Sequence, residues 1–199
     1  MLNRLKYFLI LVFLLTSNSF GERPPSSKAT GFFMGFGVGP RIPIGSFSNS
    51  TALGYGLDVE FSYTDNEFLP VFLFADFGFE QYPGSQQFYQ ETDYSNFHTN
   101  AIPVNIGARY YFTPLLENIV LLMPIVQLSA SYTFYQKLHE FDLESGRNNY
   151  LEKNSKFGFS VGVGVSMFMM ELLAAYNYNQ NNQFLSCDLK IRIPLYINF

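Results

Sequence analysis

The closing stretch "LSCDLKIRIPLYINF" constrains the fold more than any other part of this chain. Leu185, Cys187, Leu189, Ile191, Ile193, Leu195 and Ile197 fall on one side, while Asp188, Lys190 and Arg192 fall on the other. That is the two-residue period of a strand whose faces meet two different media, one apolar and one able to hold charge. A chain made of such strands must find a closed arrangement in which each face meets its own medium.

The same pattern recurs seven times upstream, bounded by turn residues. Strands are predicted over about 31–42, 52–64, 68–81, 98–112, 119–135, 156–167 and 170–179, with the eighth over 185–199. The second sets Leu53, Tyr55, Leu57, Val59, Phe61 and Tyr63 against Gly54, Gly56, Asp58, Glu60 and Ser62. The sixth sets Phe157, Phe159, Val161, Val163 and Val165 against Gly158, Ser160, Gly162, Gly164 and Ser166. Across all eight, the non-apolar face gathers Arg41, Asp58, Glu60, Asp76, Glu80, Arg109, Glu171, Asp188, Lys190 and Arg192.

The connections alternate in length. The second, fourth and sixth ("DNE", "TPLLEN", "FMM") are short, and the first, third and fifth ("PIGSFSNST", "YPGSQQFYQETDYSN", "QKLHEFDLESGRNNYLEKNS") are long. The seventh, "QNNQFLS", reads as intermediate. Tight turns at one end and long loops at the other are what strands produce when they cross a membrane up and down. An even strand number returns the C-terminus to the side of the N-terminus, so both ends are expected in the periplasm with the long loops outside the cell.

Which face points inward is decided by what each would cost. A soluble barrel or sandwich, such as a periplasmic lipocalin-like carrier, turns its large residues in and its charges out. Here charged residues make up only 14% of the chain, against about 25% in soluble domains, too few to cover eight solvated strand faces. The polar face is also rich in glycine and serine, as a narrow barrel interior requires. Tyr63, Tyr110, Tyr111, Phe112, Tyr132, Tyr176 and Tyr178 gather near strand ends, where aromatic girdles mark the two membrane interfaces. Closure is demanded as well, because an open sheet edge in hydrocarbon leaves backbone groups unpaired at several kcal/mol each. The predicted fold is therefore an all-β, closed, eight-stranded antiparallel up-and-down transmembrane barrel.

The N-terminus agrees with export. In "MLNRLKYFLILVFLLTSNSFG", Arg4 and Lys6 precede an apolar run from Tyr7 to Leu15, followed by small and polar residues. The run is too short to span a bilayer, where about 20 residues are needed, and fits a signal peptide over 1–21 cleaved near Gly21; the alternative is an anchor helix that stays attached. A Pro/Ser leader over 22–30 and one barrel domain over 31–199 complete the expected organisation. Cleavage removes two of the 12 basic residues and none of the 16 acidic ones, leaving a net charge of 10 minus 16, or −6. An acidic exported chain is a poor partner for nucleic acid.

With these residues in view, the chain resembles the small outer-membrane β-barrel proteins of OmpA/OmpX-like architecture. "GFFMGFGVGPRIPIGSF", "AIPVNIGARYYF" and the terminal "YINF" look like the outer-membrane β-barrel domain family common in the Bacteroidetes. The resemblance covers about Gly31 to Phe199. It implies outer-membrane lipid and lipopolysaccharide as surroundings and the barrel-assembly machinery as a partner during biogenesis. It also implies that Tyr196 and the terminal Phe199 belong to the signal that machinery reads.

The chemistry is sparse. Cys187, the only cysteine, cannot form an internal disulfide and is expected on the lipid face. The runs "GFGVG" and "GVGVG" lack the helix a dinucleotide fingerprint needs, and no cofactor motif is present. Two histidines, His98 and His139, lie near loop bases; Ser95 with His98, or His139 with Asp142 and Ser145, are the combinations available for nucleophilic catalysis. No motif of a barrel lipase, acyltransferase or protease surrounds them. The expected role is non-enzymatic, in envelope structure or surface interaction, with an extracellular partner to be met by the loops 82–97 and 136–155. A narrow pore, a lipid-modifying enzyme and a soluble carrier are the alternatives. With eight strands the lumen is just wide enough for side chains to fill, so the ten interior charges are expected to pair into a plug.

Overall fold

The computed structural model describes residues 30–65, 69–115 and 122–198. The signal peptide, nearly all of the leader, parts of the second and fourth connections, the proposed strand starts at Phe68 and Ile119, and Phe199 lie outside the described residues.

Eight strands form one closed antiparallel barrel in chain order: β1 (Thr30–Ile44), β2 (Gly54–Asp65), β3 (Leu69–Pro83), β4 (Tyr94–Tyr111), β5 (Leu122–Phe141), β6 (Tyr150–Met167), β7 (Met170–Asn179) and β8 (Asn182–Asn198). Closure is made by β1 against β8, from Thr30↔Asn198 to Ile44↔Gln183. Following paired residues around the barrel from Met34 leads through Phe61, Ala75, Ile106, Ala130, Phe159, Tyr178 and Gln183 back to Ile44, ten positions further along β1. Eight strands with a stagger of ten tilt by about 43° to the barrel axis.

The outer surface is apolar. Along β6 alone, Phe157, Phe159, Val161, Val163 and Met167 are all exposed. The ten steps from Phe157 to Met167, at about 3.3 Å each and this tilt, make a band roughly 24 Å tall. The hydrocarbon-facing band of a membrane barrel is about 25 Å tall. The carrier alternative, which needs the large apolar residues inside, is overturned by this orientation.

The interior is polar and tightly filled. Gly39 illustrates how tightly: a Cβ there would collide with the Cys187 carbonyl of β8, so only glycine lets the closing strands approach. At the loop end the lumen is covered by Phe47, Tyr82, Ala101, Tyr135 and Phe184. Phe47 comes from a short 3-10 turn, Gly45–Asn49, that folds over the opening. Its ring meets Tyr82 edge-on at 4.9 Å, and Tyr82 meets Phe184 at 5.8 Å.

Three strands depart from the expected boundaries. β4 starts at Tyr94, β5 runs on to Phe141 and β6 starts at Tyr150. Pairing of β4 with β3 ends at Pro83↔His98 and that of β6 with β7 at Phe159↔Tyr178, while β5 pairs with β4 as far as Phe141 and with β6 as far as His139. A three-stranded sheet therefore rises above the rest of the barrel. Much of what reads as the loops 82–97 and 136–155 is strand, and the actual connections are 84–93, which holds helix α1 (Gln86–Glu91), and 142–149. In these extensions both faces of a strand carry polar residues, so the alternation that reveals it is lost. The same reason applies to the seventh connection, which is a two-residue turn, Gln180–Asn181, rather than an intermediate loop. Its flanking Asn179 and Asn182 are buried in the polar lumen.

Candidate functional site: the charged lumen and the projecting sheet

The ten charged residues singled out from the sequence all have side chains in the lumen, drawn from β1, β2, β3, β4, β7 and β8. Nine of them sort into two clusters. Near the loop end, Arg41 Nε donates to Glu80 Oε1 at 2.7 Å and Arg41 Nη1 to Asp188 Oδ1 at 2.6 Å. Tyr82 donates to the other Glu80 oxygen at 2.8 Å.

The second cluster lies toward the end of the barrel where Thr30 pairs with Asn198 and is centred on Glu60, which is 1% exposed. Arg109 grips both Glu60 oxygens, Nη2 to Oε2 at 2.7 Å and Nη1 to Oε1 at 2.9 Å, the fork geometry in which arginine pairs most strongly with a carboxylate. Lys190 reaches Glu60 at 3.0 Å and Arg192 reaches it at 3.1 Å. Glu171 takes Arg109 at 3.0 Å and Arg192 at 3.2 Å. Lys190 also lies 2.7 Å from Asp58. Each charge but Asp58 thus meets two or more of the opposite sign, which is what allows charges to persist away from water.

Neutral residues complete this cluster, among them Gln127, which the strand pattern puts on the polar face of the fifth strand. Gln127 accepts from Arg109 at 2.9 and 3.1 Å, and Phe74 lies under the Arg109 guanidinium at 4.9 Å. Tyr111, expected in the outer girdle, instead turns inward, where it donates to Glu171 at 2.6 Å and meets Arg192. It is the last residue of β4 and shares parity with Arg109, the one sequence signal that would have placed it. Arg192 is packed within 6 Å of the Phe33, Phe72 and Tyr111 rings, a cation held by aromatic faces at the lumen's mouth.

Between the clusters, Asp76 is buried and accepts from Asn105 Nδ2 at 2.6 Å. It faces a cavity of about 40 Å³ shared with Asp58, Gln127, Ser129 and Ser160. That is room for a few waters.

The projecting sheet carries the second concentration of chemistry. On its inner face His139 is buried, stacked on Tyr150 with ring centroids 4.3 Å apart. Its Nδ1 is 3.0 Å from the Tyr94 hydroxyl and its Nε2 is 3.3 Å from Glu152 Oε2. Phe97 packs on it edge-on, and Phe88 of α1 covers Tyr94 and Phe97. Nδ1 is taken by Tyr94 and Nε2 points toward Glu152 without completing a hydrogen bond, so the combination of His139 with Asp142 and Ser145 is not assembled; Ser145 Oγ donates instead to the Asp142 carbonyl at 2.6 Å. Tyr196 is exposed on β8, and Cys187 is exposed on the outer face.

His139 makes the sheet pH-sensitive. Burial pushes its pKa below the ordinary histidine value, with Glu152 pulling the other way and Lys137 adding to the depression. The folded sheet binds the proton more weakly than the unfolded chain. The stability contribution is therefore complete above the unfolded value near pH 6.5 and is lost as pH falls through the folded one. Hydrogen-exchange protection of amides 137–141 and 150–153, corrected for intrinsic rates, is expected to drop on acidification, and His139→Gln to flatten that drop. Protection that is independent of pH in the unsubstituted protein would contradict the assignment.

No protein-family model and no curated protein matches this sequence. Among solved structures, the chain is similar to Neisserial surface protein A, with 19% identity over 83% of this chain and 97% of that one and a TM-score of 0.49. It is also similar to Ail, the attachment invasion locus protein of Yersinia pestis, with 13% identity over 84% and 100% and a TM-score of 0.44. The N-terminal β-barrel domain of Pseudomonas aeruginosa OprF gives 11% identity over 84% and 100% and a TM-score of 0.47.

Proposed function

We propose that this protein is an outer-membrane barrel that does not catalyse a reaction, with a plugged lumen and a projecting sheet that meets the cell's surroundings. The observation that carries this reading is the inversion of the barrel. A continuous band of exposed Phe, Leu, Val and Ile surrounds a lumen in which Arg41, Arg109, Lys190 and Arg192 pair with buried carboxylates. Only a hydrocarbon solvent makes that arrangement the stable one.

The plug follows from the same contacts. Arg109 with Glu60 and Glu171 spans the lumen from β4 to β2 and β7, and Arg41 spans it from β1 to β3 and β8. A conducting path would have to break these ion pairs. The termini then lie in the periplasm, delivered by the 1–21 signal peptide, and Tyr196 with Phe199 serves the barrel-assembly machinery. Lipopolysaccharide surrounds the outer half, and the β4–β6 sheet with α1 and the 142–149 connection is the surface offered to an extracellular partner.

The expressed protein is expected in the outer-membrane fraction, extractable only with detergent, and to change mobility on a gel when boiled. In planar bilayers it should give no persistent, size-selective conductance. Steady channels from the pure protein would replace the plug with a pore, and a detergent-independent soluble protein would remove the membrane assignment altogether.

A further inference from the structure

We propose that the β6–β7 turn, Met167–Met170, is a lipid anchor seated in the interfacial zone of the periplasmic leaflet. The inference rests on the membrane reading above and adds where that leaflet ends and which residues hold it.

Four consecutive apolar residues, Met167, Phe168, Met169 and Met170, are exposed here, and Phe168 is 76% exposed. Exposed apolar runs of this length are ordinarily excluded from water-facing turns, which favour Asn, Asp and Gly. The backbone makes the choice more pointed. Phe168 has φ 56°, the left-handed region where Gly or Asn would sit without strain and a bulky residue is uncommon.

The molecule contains its own comparison. The β7–β8 turn, Gln180–Asn181, is also a two-residue turn with a left-handed first residue, Gln180 at φ 52°. It lies at the opposite end of the barrel and is polar. The two turns share a geometry and differ in chemistry, as they would if one met water and the other lipid.

Position agrees. Met167 is the last exposed residue of the roughly 24 Å band that begins at Phe157 on the same strand. The stem of the turn continues that band without interruption, through Val165↔Leu172 and Met170↔Ile191. The turn is also fixed to the barrel wall, because Arg192 N donates to the Met169 carbonyl at 2.7 Å. The charged groups nearest in sequence and pairing, Glu171 and Arg192, turn their side chains into the lumen ion-pair cluster. Unbranched methionines adapt to the irregular packing of acyl chains near the headgroups as they adapt to irregular protein surfaces.

The absence of tryptophan from the sequence makes a direct test available. Phe168→Trp, with Met169→Trp as a second probe should the first fold poorly, is reconstituted in phosphatidylcholine vesicles containing lipids brominated either high or low on the acyl chain. Gln180→Trp and Ile106→Trp serve as comparators. The turn probes are expected to emit to the blue of Gln180→Trp, to lose more intensity to shallow bromines than to deep ones, and to resist aqueous acrylamide. Turn probes quenched by acrylamide and indifferent to bromine, while Ile106→Trp responds to bromine, would overturn the anchor and leave the membrane reading standing. Indifference of Ile106→Trp to bromine as well would defeat both.

Discussion

Replacing Glu60 with alanine is expected to cost at least about 3–5 kcal/mol of folding free energy, the penalty for breaking a buried ion pair by removing one partner. The estimate is a floor because Glu60 serves Arg109, Lys190 and Arg192 at once. Arg192 and Arg109 would keep Glu171, and Lys190 would keep Asp58, but the forked contact that fixes Arg109 would be gone. Equilibrium urea unfolding in lipid vesicles would read the loss as a lowered midpoint with an unchanged slope. The double variant Glu60→Leu with Arg109→Leu should cost less than the sum of the two single changes, because no uncompensated pair is left behind. A Glu60→Ala loss below about 1 kcal/mol, the scale of an exposed ion pair, would mean that water reaches the cluster and that the lumen is open.

The architecture was legible because one physical rule acts on every residue of a membrane-crossing strand. Leu57 and Asp58, or Leu189 and Lys190, cannot exchange places without putting a charge in lipid, so the alternation is strict and the eight strands stand out. The pairings inside the lumen were not legible. Glu60 meets Arg109 and Lys190, 49 and 130 positions away, only because the stagger of ten brings β2, β4 and β8 to one level. Neither separation leaves a mark on the sequence. The projecting sheet escaped for a different reason: beyond the lipid band, segments such as "YSNFH" and "YQKLHEF" face water or aromatic neighbours on both sides, and a polar strand then resembles a loop. The lumen's aromatic cover was visible in part, since Tyr82 and Phe184 share parity with Glu80 and Asp188. A Phe or Tyr on the charged face is the feature by which such a cover can be recognised.

Ile106→Arg is expected to destabilise the barrel in a bilayer by about 2–4 kcal/mol, the cost of a cation on the lipid face near the midplane. Ile106 is 66% exposed and sits near the middle of the outer band, paired with Ala75 and Ala130. It has few protein contacts to lose. On a water-facing sheet the same change would fall within about 0.5 kcal/mol, so its effect measures the medium rather than the packing. Leu143→Arg supplies the reference, because Leu143 is fully exposed in the 142–149 connection, beyond the band, and should tolerate the charge. A large loss at Ile106 with none at Leu143 follows from a barrel whose wall faces hydrocarbon and whose projecting end faces water. Equal tolerance at both positions would require water around the whole barrel, and the charged lumen would then have no solvent-based reason to be inside.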